Sequence, residues 1–278
     1  MEDESKKDVL TENVAKPTRK KIMMRLPKYE DDYALREAMK ALRTNIEFMG
    51  EDKRVLAITS CVRDEGKSFI SMNLAMALAD AGKSVLFIDA DMRKSVVVGR
   101  YNIKGQSEGL SNYLAARVNI EAVLVSTNMN KLDMIVAGQV PPNPSELLGT
   151  RRFQKMMSIL RAHYNYVIVD CPPIGEVIDA AVVARACDGA ILVTASGHDS
   201  SRFLRDAREQ MEKSGSKVLG VVLNKVPRDR RGGYGKYYGK YGRYYGRYYG
   251  RYYGSYYGAY GSYDNSDGET KKTKKKKE

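Results

Sequence analysis

The chain has 278 residues, enough for one sizeable domain or two small ones, and 43% of them are hydrophobic, an ordinary share for a globular core. Its formal charge of +13 is unevenly spread: from residue 228 onward fourteen Lys or Arg stand against five acids, a net of +9, which leaves +4 for residues 1–227. Three widely spaced cysteines, Cys61, Cys171 and Cys187, exclude a disulfide framework or thiolate zinc site, and no apolar run approaches the roughly 18–20 residues needed to cross a bilayer. With no signal peptide read at the start, a reducing cytosol is the expected home, and an anionic membrane surface is a possible partner for the basic tail.

Residues 1–30 are polar and Lys-rich, with Pro17 and Pro27 interrupting any periodicity, and read as a flexible basic arm. Order is expected from Tyr33. Leu35, Met39, Leu42, Ile46 and Met49 recur at alternating spacings of four and three, which draws one apolar stripe along a helix. Glu37, Lys40 and Arg43 fall on another face of it.

Six short apolar runs follow: Val55 to Thr59, Val85 to Ile88, Leu132 to Val136, Val167 to Val169, Ala190 to Thr194 and Val218 to Leu223. Such runs without alternation suit strands buried on both faces, and the helical patterns between them predict an α/β domain, a doubly wound, mostly parallel sheet over residues 31–227. Ligands of such a sheet sit beyond the carboxyl ends of its strands.

The residues at those ends carry the chemistry. After the first run comes Ser60-Cys61-Val62-Arg63-Asp64-Glu65-Gly66-Lys67-Ser68-Phe69 and then an amphipathic helix to about Ala81, the Walker A pattern with Cys61 where the first glycine usually stands. Its N–H groups, together with Lys67, suit nucleotide phosphates, and Ser68 suits magnesium. The second run ends in Asp89-Ala90-Asp91-Met92-Arg93, two carboxylates placed to hold hydrated magnesium and to take a proton from an attacking hydroxyl. The fourth ends in Asp170-Cys171-Pro172-Pro173, a Walker B acid that orients the same metal. The last ends in Asn224, which is equally an adenine reader and a turn residue.

These three motifs, with the run Gly138 to Leu148 (GQVPPNPSELL), resemble the bacterial tyrosine kinases of the CpsD and CapB kind, which work in capsule and exopolysaccharide synthesis. The resemblance implies a P-loop NTPase fold that uses ATP and Mg2+. Lys67 would be essential to catalysis, Asp89 and Asp91 would activate the acceptor tyrosine, one of them as base, and Ser68, Asp89, Asp91 and Asp170 would hold the metal. It further implies a homo-oligomeric ring built on an E-x-x-R-x-x-R helix, here Glu37, Lys40 and Arg43 with Lys40 replacing the first Arg, a substitution that loses planar bidentate pairing. A membrane polysaccharide co-polymerase as activator, a cognate tyrosine phosphatase and a place at the inner face of the membrane belong to the same expectation; DNA does not. The related partitioning and division-site ATPases carry a signature lysine where Val62 stands here.

The tail, residues 228–278, is the expected substrate. Fourteen tyrosines, Tyr234, Tyr237, Tyr238, Tyr241, Tyr244, Tyr245, Tyr248, Tyr249, Tyr252, Tyr253, Tyr256, Tyr257, Tyr260 and Tyr263, fall mostly in Tyr-Tyr-Gly units. Frequent glycine and the lack of aliphatic residues predict disorder, and a coil of about thirty residues reaches on the order of 30 Å, enough for delivery to a neighbouring subunit. The near-identical repeats predict that no single tyrosine is essential. Lys236, Lys240, Arg243, Arg247 and Arg251 are the only charges among them, so roughly three phosphates would reverse the segment's sign. Tyr, Arg and Gly repeats also stack on single-stranded nucleic acid, the competing reading of this segment.

Overall fold

Hydrophobic period decides most of what folds here. In the computed structural model, which describes residues 22–24, 33–197 and 201–227, the six apolar runs all become strands. The tyrosine cluster, most of the basic arm and the Lys-rich terminus lie outside the described residues.

Helix α1 (Tyr33–Phe48) precedes β1 (Val55–Ser60), α2 (Lys67–Asp80) and β2 (Val85–Asp89); three short helices, α3 (Val97–Arg100), α4 (Leu110–Leu114) and α5 (Ile120–Val123), then lead to β3 (Val125–Ser126) and β4 (Leu132–Ile135). The second half runs α6 (Pro144–Leu148), α7 (Arg151–His163), β5 (Tyr166–Asp170), α8 (Asp179–Ala184), β6 (Gly189–Ala195), α9 (Ser201–Lys213) and β7 (Val218–Asn224). The strands form one sheet in the order β3-β4-β2-β5-β1-β6-β7, and every neighbouring pair is parallel except β3 with β4. Alternate strand residues feed two cores: Val55 and Ala57 join one with α7, α8 and α9, whereas Leu56 and Ile58 join the other with α1 and α2.

Three expectations need correction. Helix α2 is not amphipathic: Ser68 and every residue from Ile70 to Ala79 is buried, because the sheet covers one side and the apolar stripe of α1 another. The run Val218 to Leu223 is not buried on both faces; β7 is the sheet edge, and Val221 and Leu223 are half exposed. Ordered structure also begins before Tyr33. Ile22 and Met24 are buried while Met23 between them is exposed, and the Ile22 N–H donates to the Ser126 carbonyl at 2.8 Å. That alternation is strand-like, and it extends the short antiparallel edge β3, which the sequence reading did not find. Two residues carry too little pattern to be read.

Candidate active site

The P-loop is held in shape from three directions. Gly66, the residue before α2, has φ 91°, and a Cβ there would lie 2.2 Å from Asn224 Nδ2, so glycine is required twice over. Cys61 shows why the first glycine is dispensable: it is absent from the left-handed positions and its side chain is buried in the core. Glu65, although a carboxylate, is 1% exposed, and it accepts from the Val62 N–H at 2.9 Å and from the Ala195 N–H at the end of β6 at 3.0 Å. Asn224 Nδ2 donates to the Glu65 carbonyl at 2.8 Å, and Lys225 Nζ donates to the Asp64 carbonyl. The amide that the sequence left open between an adenine reader and a turn residue thus spends its Nδ2 on the loop backbone. The chain after β5 closes the other side, where the Gly175 N–H donates to the Cys61 carbonyl at 3.1 Å and a Cβ on Gly175 would meet that oxygen at 2.3 Å.

The predicted catalytic groups converge at the mouth of this loop. Lys67 Nζ lies 3.0 Å from Asp91 Oδ2 and 4.0 Å from Asp170 Oδ2. Burial opposes its charge, but Asp170, Asp91 and Asp89 outweigh burial and hold its pKa above the usual lysine value. The parallel register of β2 and β5 sets Asp89 opposite Asp170. Burial and then the Asp170 charge push the Asp89 carboxyl up to about 8, against the hydrogen bond from Ser95 Oγ. Burial also raises Asp170, although Lys67, Ser68 and Ser71 favour its charged form, the last by a 3.0 Å bond from Ser71 Oγ to Oδ1. Asp170 Oδ2 is buried and accepts no hydrogen bond.

That orphaned oxygen is the test for a metal. A carboxylate oxygen without a donor, beside the Ser68 hydroxyl and Asp91, fits a hard cation that keeps most of its water and takes further ligands from phosphates. Among the described residues no group of three or more His, Cys, Asp or Glu forms a ready-made metal cage.

Other predicted residues take different places. Arg63 points outward and pairs with Glu176, Val62 is partly exposed, and Phe69 packs on the core face shared with α1. On α1, Lys40 Nζ meets Glu37 at 2.8 Å on an exposed face, whereas Arg43 Nη1 donates to the Ala77 carbonyl of α2 at 3.2 Å. Three groups were missed. Ser71 stands one turn beyond Lys67, a spacing that could have flagged it. Ser95 follows the Asp89 and Asp91 pair by a few residues. Asp179, wholly buried, accepts from Arg93 Nε at 2.8 Å, from Arg93 Nη2 at 3.0 Å and from Ser145 Oγ, so it joins the Asp91 loop to the Gly138 to Leu148 run. Only the fold brings Arg93, Ser145 and Asp179 together.

Several known proteins resemble this chain in sequence and fold. A family model described as an AAA domain matches residues 53–201. Tyrosine-protein kinase CpsD of Streptococcus agalactiae is 45% identical over 214 residues, covering 74% of this chain and 93% of that protein. Among solved structures, the kinase domain of Escherichia coli tyrosine kinase ETK superposes with a TM-score of 0.69 at 36% identity, over 73% of this chain and 81% of that one. The chimerical protein CapA2B2 superposes with a TM-score of 0.68 at 32% identity, over 74% and 93%.

Proposed function

Since this chain belongs to the bacterial tyrosine-protein kinases of the CpsD kind, we propose that it phosphorylates the tyrosine cluster of its own tail, between subunits, and thereby regulates capsule or exopolysaccharide synthesis. The observation that carries this reading is the run of fourteen tyrosines from Tyr234 to Tyr263 on a chain whose relatives are tyrosine kinases. A kinase that carries its own phenols in a repeated, low-complexity segment needs no separate recognition of a folded substrate.

In the proposed reaction the N–H groups of the P-loop and Lys67 hold the ATP phosphates at the start of α2. A tail phenol, whose ordinary pKa is about 10, attacks the γ-phosphorus; the new bond joins the phenol oxygen to phosphorus, ADP leaves, and the phenol proton passes to a carboxylate. Asp91, which lines the pocket beside Lys67, is the carboxylate placed to accept it, whereas Asp89 is wholly buried and, pushed up to about 8 by burial and the Asp170 charge, holds a proton at neutral pH in the ligand-free site. Asp91 faces Lys67 and the pocket, where it orients the phosphate-binding lysine. Ser68, Asp91 and Asp170 would hold magnesium, with Asp89 close by; when bound, the ion neutralises developing charge on the phosphates. Glu65 and Asn224 keep the loop in position from the ends of β6 and β7.

No helix among the described residues is long and apolar enough to cross a membrane. Work at the inner face of a membrane would therefore go through a partner, and a membrane polysaccharide co-polymerase whose cytosolic segment docks on the kinase is the one proposed, with a cognate tyrosine phosphatase to reset the tail. A ring through Glu37, Lys40 and Arg43 would bring each tail to a neighbouring site.

The test mixes two inactive halves of the function. Full-length Lys67→Met supplies a tail without catalysis, and an active chain with all fourteen tail tyrosines changed to Phe supplies catalysis without acceptors. Phosphotyrosine on the Lys67→Met chain, dependent on ATP and Mg2+, is the expected result. Its absence, with wild-type chain labelled normally, would leave transfer within one subunit; release of free phosphate alone would overturn the kinase reading of the tail.

A further inference from the structure

We infer that Lys94 and Arg100 form a phosphotyrosine subsite on the acceptor side of the pocket, so that a tail segment already bearing one phosphate is the preferred substrate for the next transfer. The inference rests on the tail being the acceptor.

The cations that line the pocket fall into two groups. Lys67, Arg93 and Arg63 are each matched by a carboxylate, from Asp91, Asp179 and Glu176 respectively. Lys94 and Arg100 line the same pocket, are exposed, and have no ion-pair partner among the described residues. Both are firmly rooted. The Lys94 N–H donates to Asp91 Oδ1 at 3.0 Å, so this lysine springs directly from the catalytic loop. Arg100 ends α3, between the buried side chains of Val97 and Tyr101, and its N–H donates to the Val96 carbonyl at 2.9 Å.

Two uncompensated cations next to the phosphates of ATP would add to phosphate binding, yet both come from the segment after Asp91 and not from the P-loop and the start of α2, which supply the nucleotide's own phosphate donors. For the unmodified tail they are an obstacle. Lys236, Lys240, Arg243, Arg247 and Arg251 give its tyrosine segment only positive charge, and like charges repel across the entrance. One phosphotyrosine brings about −1.5 to −2 and three acceptor oxygens, which a guanidinium engages bidentately. The repeat then supplies the geometry: from Tyr244 to Tyr257 Tyr-Tyr pairs recur every four residues, so a phosphate held by Lys94 and Arg100 leaves an unmodified phenol one unit away on the same segment. The first transfer is slow and the following ones are fast.

Two peptides of the sequence Tyr244 to Gly254 test this, one unmodified and one carrying a phosphate on Tyr248. Each is offered to the full-length chain with its tail tyrosines changed to Phe, and initial rates are followed against peptide and against ATP. A KM about tenfold lower for the phosphopeptide is expected, as is loss of that preference in the Lys94→Gln/Arg100→Gln double variant. Charge-keeping Lys94→Arg should preserve the preference, which separates charge from a folding defect, and Arg100→Lys, which keeps the charge but loses the bidentate fork, should preserve only part of it. Equal KM values for the two peptides with the parent enzyme would overturn the subsite. So would a double variant that keeps the preference while its KM for ATP rises, since the two cations would then belong to the nucleotide. If neither peptide is phosphorylated, the reading of the tail as substrate fails, and the subsite with it.

Discussion

Asp89 and Asp170 are register partners on the adjacent parallel strands β2 and β5, so two motifs some eighty residues apart in sequence place their carboxylates side by side. Full burial, and then the Asp170 charge, raises Asp89 to about 8. The native protein therefore holds a proton that an unfolded aspartate, with a pKa of 3.8, releases, and native stability falls as pH rises from about 4 to about 8. Asp89→Asn removes this penalty. Relative to wild type its ligand-free melting temperature should be higher by at least several degrees at pH 9 and nearly the same at pH 4, while phosphotransfer falls sharply because a neutral amide cannot serve the magnesium site. Thermal scans across pH, paired with a phosphotyrosine assay, check both halves.

Glu65 should matter through the loop it shapes. Glu65→Ala leaves the Val62 and Ala195 N–H groups without their carboxylate acceptor, at a cost of about 1–3 kcal/mol. A several-fold rise in KM for ATP is expected, with a smaller change in kcat, because the loop binds phosphate in ground and transition states alike. Steady-state kinetics with ATP as the varied substrate separate the two constants.

The Arg93, Asp179 and Ser145 cluster makes a stability prediction. Asp179→Ala removes a wholly buried carboxylate and strands the guanidinium that it holds, and since Arg93 remains partly exposed to water the loss should be about 2–3 kcal/mol. The same change frees the loop that carries Asp91, so kcat should fall by at least about tenfold. Chemical denaturation and a kinase assay on the same preparation are sufficient.

On α1 the three polar residues should behave differently. Arg43→Ala breaks a bond to the Ala77 carbonyl within the chain and should lower the melting temperature by about 2–4 °C whatever the oligomeric state. The exposed pair of Lys40 with Glu37 contributes only about 0.3–0.5 kcal/mol, so Lys40→Ala should leave stability nearly unchanged. If that face assembles subunits, Glu37→Ala and Lys40→Ala will reduce the mass measured by light scattering without a change in melting temperature.

Much of this was legible in the sequence for a simple reason: the features are local. A six-residue apolar run at the centre of a parallel sheet reads the same in any fold, and the Gly66, Lys67 and Ser68 triplet needs only the strand before it and the helix after it. What resisted reading was always a relation between distant segments. The burial of α2 depends on α1 lying over it, the exposure of β7 on its place at the edge, and the seat of Ile22 and Met24 on a two-residue strand. Asn224 illustrates the difference within one residue: its position at the end of a strand was visible, but its bond to Glu65 was not.

The sequence by itself determined the class of fold, the order of the phosphate and carboxylate motifs and the tyrosine-rich tail, because hydrophobic period, glycine at a phosphate loop and repeated units act over a few residues. Only the tertiary structure decided that Asp89 faces Asp170, that Asp179 gathers Arg93 and Ser145, and that Lys94 and Arg100 share a pocket with Lys67. Charge interactions fall off with distance and strengthen with burial, and neither quantity exists until the chain has folded.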